Sequence, residues 1–292
     1  MSDKSAEPRA ILQVRWGPMA FRKAILKPGE VLRVGRDETM GLALPHDTQL
    51  AGIHFELAWD GEKCRLRNLD APSGTLLDGM PIQEEVVPHG GWIRAGGTDF
   101  LAHIERHTAL APTESSSQAL QDSERPHVLK VLSEQTSLYA VLDAARSEQL
   151  LPLLQESVDE HRSLYEGPQG AALAEVAPYI VQLPRGSRLL ELLVQNGWGE
   201  GWGIYLTSEA SFIETRRHLR KFLMVELDGL DGNFYFRFYD PRVLHGFLPT
   251  CAAQQRAEFF GPITRFFYEE TERLHMLVAK RDGFIGPVCS AS

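Results

Sequence analysis

The chain offers little sulfur chemistry. Cys64, Cys251 and Cys289 are odd in number and far apart, with no Cys-x-x-Cys and no Cys/His pair at zinc-ligand spacing. A disulfide framework and a structural zinc site are therefore not expected, and the thiols read as reduced. Long apolar runs are missing too, since no stretch reaches the ~18 uninterrupted apolar residues of a membrane span. The segment from Met1 to Ala10 carries Asp3, Lys4, Glu7 and Arg9 and lacks the apolar core of a signal peptide. A chain made and kept in the cytoplasm is the expectation. Positive charge is also in deficit: 30 Lys plus Arg stand against 39 Asp plus Glu, a formal net charge of -9. That balance opposes a nucleic-acid backbone or an anionic membrane as the main partner and favours proteins.

Catalytic signatures are absent as well. No His-Glu-x-x-His, Gly-x-Ser-x-Gly or EF-hand series occurs, and the ten histidines fall singly. Gly197-Trp198-Gly199-Glu200-Gly201-Trp202-Gly203 has no Walker lysine, and a strand-like segment rather than a helix follows it, so it reads as a loop whose glycines permit positive φ. Asp143, His161, Glu175 and His245 have no spacing that assembles them. The expectation is a protein without enzyme activity, metal or cofactor.

At 292 residues, with 43% hydrophobic and 24% charged residues, the chain suits two folded domains. Residues 107–134, with Pro112-Thr113-Glu114, Ser115-Ser116-Ser117 and Asp122 to Pro126, read as a flexible linker between domains at 1–106 and 135–292. Upstream, Ile53, Phe55, Leu57 and Trp59 alternate with period two, Asp60-Gly61 turns the chain, and Cys64 and Leu66 resume the alternation, which predicts a hairpin over 53–67. Leu12, Val14 and Trp16, then Phe100, Ala102 and Ile104, repeat the pattern of an all-β sandwich.

Downstream the period becomes helical at Leu150, Leu151, Leu154 and Val158, and Ser211-Phe212-Ile213-Glu214 is a capping box. The basic run Arg216, Arg217, His218, Arg220 and Lys221 reads as a solvated end of that helix, complementing its dipole. Strand candidates at Leu138 to Leu142, Ile204 to Leu206 and Phe234 to Tyr239 make this half mixed α/β.

Val34-Gly35-Arg36, His54, and Ser73-Gly74-Thr75-Leu76-Leu77-Asp78-Gly79, in that order, resemble the forkhead-associated family over roughly residues 10–106. The resemblance implies a β-sandwich that binds phosphothreonine peptides through loops at one end, with Arg36, Ser73, Gly74 and Thr75 as phosphopeptide-binding positions and His54 bracing the adjoining loop. A dianionic phosphate needs a guanidinium fork, hydroxyls and backbone amides converging on it. Here Ala51 replaces the family's serine, Gly52 follows where a side-chain donor is usual, Ser73 and Asp78 replace two asparagines, and Asp78 adds a carboxylate near the expected pocket. Each missing charge-assisted hydrogen bond weakens capture by ~1.5 to 3 kcal/mol. Docking without phosphorylation is thus the leading expectation, and phosphothreonine reading the alternative.

The series Leu138 to Ala145, Ala177-Pro178-Tyr179-Ile180-Val181, His218 to Leu223, Phe236 to Leu244 and Phe259-Phe260-Gly261-Pro262 resembles a domain-of-unknown-function family of type VI secretion effector chaperones or adaptors. The resemblance implies a cytoplasmic protein that binds a cognate secreted effector and loads it onto the secretion spike protein of the VgrG type. On the 234–239 segment, Phe234, Phe236 and Phe238 read as core, and Tyr235, Arg237 and Tyr239 as an outward face rich in interface residue types. Tyr235, Arg237, Tyr239, Asp240, Arg242, Phe259 and Phe260 are the partner-binding candidates. A competing role for Arg237 or Arg242 is to pair with Asp240 and lock the turn at Pro241.

Overall fold

The computed structural model describes residues 7–15, 19–69, 71–108, 118–226, 233–270 and 273–278. It divides into two compact units, Met1–Ala109 with Gln155–Val158, and Leu110–Leu154 with Asp159–Ser292.

The first unit is a β-sandwich of strands β1 (Ala10–Val14), β2 (Lys23–Leu26), β3 (Glu30–Gly35), β4 (Leu42–Ala43), β5 (Phe55–Trp59), β6 (Cys64–Asn68), β7 (Thr75–Leu77), β8 (Met80–Ile82), β9 (Glu84–Val87), β10 (Gly91–Ala95) and β11 (Thr98–Ile104). One sheet runs β2-β1-β11-β10-β7-β8 and the other β4-β3-β5-β6-β9. Alternation drives the layering: Cys64, Leu66 and Asn68 of β6 are buried while Arg65 and Arg67 are exposed. The inward residues Leu12, Val34, Phe55, Leu57, Trp59, Ile93 and Phe100 form one core, in which Phe55 and Phe100 pack edge to face at 5.5 Å. The expected hairpin is present, with Asp60 accepting the Glu62 and Lys63 amides at 2.8 and 2.7 Å. Ile53 corrects the expectation, because pairing begins at Phe55 and Ile53 stays 40% exposed. Trp16 lies outside the described residues.

The second unit contains α1 (Gln118–Ser133), β12 (Leu138–Asp143), α2 (Leu150–Gln155), β13 (His161–Ser163), α3 (Gly167–Ala172), β14 (Pro178–Leu183), α4 (Arg188–Gly197), β15 (Gly203–Ser208), α5 (Phe212–Arg220), β16 (Met224–Glu226), β17 (Asn233–Tyr235), α6 (Pro241–Phe247), α7 (Ala253–Phe260), β18 (Ile263–Glu270) and β19 (Arg273–Val278). Its main sheet is antiparallel in the order β13-β14-β12-β15-β18-β19. Strand β12 is buried along its whole length, as expected where helices cover both faces of a sheet. Leu138, Ala140 and Leu142 join Val128 and Leu132 of α1 and Leu190, Leu193 and Val194 of α4 on one side. Tyr139 and Val141 join Phe212 and Leu219 of α5, Leu244 of α6 and Phe259 of α7 on the other. The result is a helix–sheet–helix sandwich, a mixed α/β domain.

Two expectations fail here. Part of the supposed linker is helical, since α1 spans Gln118–Ser133 and buries Val128 and Leu132 completely. The strand expected over 234–239 pairs only at Asn233–Tyr235, after which Pro241 and the Asp240 cap start α6.

Candidate functional site

At the loop end of the sandwich, two backbone segments meet closely. Arg36 donates its amide to the Ala51 carbonyl at 2.9 Å and Asp37 to the Gly52 carbonyl at 3.1 Å. A Cβ on Gly35 would lie 2.1 Å from the Gly52 oxygen, and one on Gly52 2.8 Å from the Asp37 carboxylate. These glycines are fixed by packing. Fully buried His54 then ties the neighbouring loops: its Nδ1 accepts the Ala51 amide at 3.2 Å, which leaves Nε2–H to donate to the Gly74 carbonyl at 2.8 Å. One neutral tautomer satisfies both bonds, the bracing that the resemblance implied.

Above this scaffold Arg36 and Ser73 are exposed. The Ser73 hydroxyl donates to the Gln49 carbonyl at 3.3 Å, whereas the Arg36 guanidinium makes no hydrogen bond or ion pair among the described residues. Gly74 is partly exposed at φ 68°. Thr75 departs from its expected role, because its side chain is fully buried and its hydroxyl donates to Asn68 Oδ1 at 2.9 Å. Asp78 is also reassigned. It and Gly79, at φ 48° and 84°, form the two-residue turn joining β7 to β8, and its carboxylate accepts the Trp92 amide at 2.8 Å. The carboxylate beside the Arg36 loop is Asp37, whose position depends on a chain approach that spacing does not disclose.

In the second unit, four elements converge on a polar cluster. Asp143, at the end of β12, is 2% exposed and accepts the Ala145 amide at 3.1 Å; burial raises its carboxyl against the lowering pull of that amide and of Arg237 and Arg146. Asp240 caps α6, accepting the Arg242 amide at 3.0 Å and its guanidinium at 2.9 and 2.6 Å, with Arg146 at 3.7 Å. Burial opposes its charge, but the Arg242 bonds outweigh that and hold it below the usual carboxylate range. The glycine-rich loop closes the cluster. Gly199 and Gly201, both at positive φ, each donate an amide at 2.5 Å to Glu269 of β18, so the loop holds the protein's own carboxylate instead of a phosphate. Burial still pushes Glu269 up to about 7.

Among the partner-binding candidates, Arg242 and Asp240 thus form the local lock. Tyr239, Phe259 and Phe260 are 1%, 1% and 5% exposed and belong to the core, which corrects their assignment to a contact surface. Tyr235, 39% exposed, and exposed Arg237 remain available. The Arg237 carbonyl accepts the Asp240 amide at 3.0 Å while its guanidinium makes no hydrogen bond or ion pair among the described residues, and Tyr235 is pinned by the hydroxyls of Tyr165 and Tyr239, the latter at 3.0 Å. The side chain of Phe234 lies outside the described residues.

The basic stretch of α5 also departs from the solvated end expected. Arg216 and Arg220, one turn apart, donate at 2.8 Å to the Ser163 and Leu164 carbonyls and grip Glu166 at 2.8 and 2.6 Å, clamping the chain after β13. His245 pairs with Glu270 at 2.9 Å and His161 packs edge to face on Tyr179, so each has a local role apart from Asp143.

One further cluster has metal-like composition. His89, His107 and Glu156 of the first unit place ligand atoms within 4.8 Å of one another. Yet the Ile104 amide donates to His89 Nδ1 at 3.0 Å, so Nε2 bears the ring proton and faces Glu156 at 3.4 Å. The His89 and His107 rings stack in nearly parallel planes with centroids 4.0 Å apart. Burial first, then His107, lowers the His89 pKa against the raising pull of Glu156, and its protonated Nε2 offers that carboxylate a donor rather than a lone pair for a cation.

Comparison with known proteins agrees with both halves. Residues 32–96 match the FHA domain family and residues 138–258 the Domain of unknown function (DUF4123). The FHA domain-containing protein FhaA of Mycobacterium tuberculosis is 31% identical over 71 residues, 24% of this chain but only 13% of that relative's length. A crystal structure of the FhaA FHA domain, complexed with the intracellular domain of a second protein, shares 30% identity over 32% of this chain and 99% of that one, at a TM-score of 0.30. The solution structure of an FHA domain from Arabidopsis thaliana shares 23% identity over 39% and 99% of the two chains, at a TM-score of 0.33. The two family matches, over 32–96 and 138–258, give the chain an FHA domain followed by a DUF4123 domain.

Proposed function

We propose that this protein is a cytoplasmic, non-enzymatic adaptor of bacterial type VI secretion, which binds a cognate secreted effector and loads it onto a VgrG-type spike protein. The observation that carries the reading is the DUF4123 match over 138–258, in a family associated with effector adaptors. Physical features support it. The charged cluster at Asp143, Asp240 and Glu269 is consumed by internal bonds, which suits a rigid scaffold, while Tyr235 and Arg237 present the residue types that dominate protein interface hot spots. No helix among the described residues is long and apolar enough to cross a membrane. Co-expression with the effector from the neighbouring gene tests the proposal: a soluble complex that co-purifies is expected, and its repeated absence when both chains fold contradicts it.

A second reading, phosphothreonine-peptide recognition by the FHA domain with the second domain as scaffold, rests on the unengaged Arg36 guanidinium above the His54 brace. Titration with matched phosphorylated and unphosphorylated peptides decides it, because equal or absent binding removes phosphate from the account.

A further inference from the structure

The outward face of the second sheet of the sandwich carries two rows of side chains set by strand register. One row reads Arg33, Glu56, Arg67, Glu84 across β3, β5, β6 and β9. The charges alternate strictly, and Glu56 bonds to Arg67 and lies 3.6 Å from Arg33. The adjacent row reads Val31, Ala58, Arg65, Val86. Its terminal valines are 57% and 37% exposed.

We infer that this face is a self-complementary surface for a second copy of the chain. Four charges in alternation are matched by their own reversal. A twofold axis parallel to the strands and midway between β5 and β6 sets Arg33 against Glu84 of the other copy and Glu56 against Arg67. The same operation sets Val31 against Val86 and the Ala58 methyl against the aliphatic stem of Arg65, so one symmetry element matches the charged row and the outer apolar pair. A twofold running across the strands through the charged row instead places Arg33 on Arg33 and Glu56 on Glu56, which like-charge repulsion opposes, and one midway between the rows leaves every charge of the first row facing the second. Aligned packing of two sheets accommodates the first geometry. The eight side chains of the two rows fall well short of the roughly 20 to 30 residues a side of a stable interface, so the pairing is weak, reversible and salt-sensitive.

Sedimentation velocity of the full chain tests this, at about 25 mM and about 500 mM salt. A concentration-dependent dimer with a dissociation constant on the order of 10 to 100 µM is expected at low salt and is lost at high salt. Arg33→Glu and Glu84→Arg each weaken it by about tenfold, and the double swap restores it to within about threefold, because the exchanged charges again face opposite partners. Independently, a bis-maleimide of roughly 10 Å reach, the spacing of two packed sheets, cross-links Val31→Cys of one copy to Val86→Cys of the other in the double variant, since three strand spacings, roughly 14 Å, separate these positions within one chain. A monomer at every concentration, single variants without effect, a double swap that fails to restore association, or absence of the cross-link each overturns the inference.

Discussion

A methyl group at Gly35 has nowhere to go, because the Gly52 carbonyl oxygen stands 2.1 Å from where its Cβ would sit. Gly35→Ala is expected to destabilise the sandwich by about 2 to 3 kcal/mol, read as a fall in the denaturant midpoint, through overpacking where backbone faces backbone. Arg36→Ala beside it should leave stability within about 0.5 kcal/mol and remove any phosphopeptide binding, since its exposed guanidinium bonds to none of the described residues. His103 makes a different case. It is 4% exposed, neither ring nitrogen has a hydrogen-bond partner among the described residues, and burial first, then His89 and Lys23, depress its pKa to about 4. The unfolded chain takes up this proton first, so the stability tied to neutral His103 is complete above about pH 6.5 and is lost as pH falls toward 4, a span worth roughly 3 kcal/mol. His103→Leu should therefore raise the melting temperature and flatten the acid limb of a pH–stability curve. An unchanged curve would show that the ring has a compensating partner.

Elements were legible where local chemistry decides them. The Ser211–Glu214 box forms as expected, with both reciprocal bonds present, and Ser211→Ala should cost about 1 kcal/mol by calorimetry. The Asp60-Gly61 turn and the alternation of β5 and β6 were equally local. Helix α1 escaped notice because Ser115 to Ser117, Glu124 and Pro126 carry a linker composition, while its burial rests on Val128 and Leu132 meeting residues remote in sequence. Tyr239 was misplaced for a related reason. Period two assigns it to the exposed side only while the strand lasts, and Pro241 with the Asp240 cap ends strand geometry first. The role of Arg216 and Arg220 was hidden likewise, since their acceptors are main-chain carbonyls of residues 163 and 164, far along the chain.

At the scale of the whole molecule, the two motif series identified both domains, because glycines, caps and aromatic clusters report backbone requirements that other residues do not meet. The site was less legible. Of the partner-binding candidates only Tyr235, Arg237 and Arg242 reach the surface, and Arg242 spends its guanidinium on Asp240. Arg237→Glu should accordingly weaken effector binding by about tenfold or more while leaving the melting temperature within a degree or two, whereas Arg242→Ala should lower stability by about 0.5 to 1 kcal/mol through loss of its solvent-screened ion pair with Asp240. The most direct test of the adaptor account is a binding titration of the purified full chain with the effector of its gene neighbourhood, run before and after phosphatase treatment. The account predicts a saturable complex of unchanged affinity in both arms, and either no binding or binding that phosphatase abolishes would contradict it.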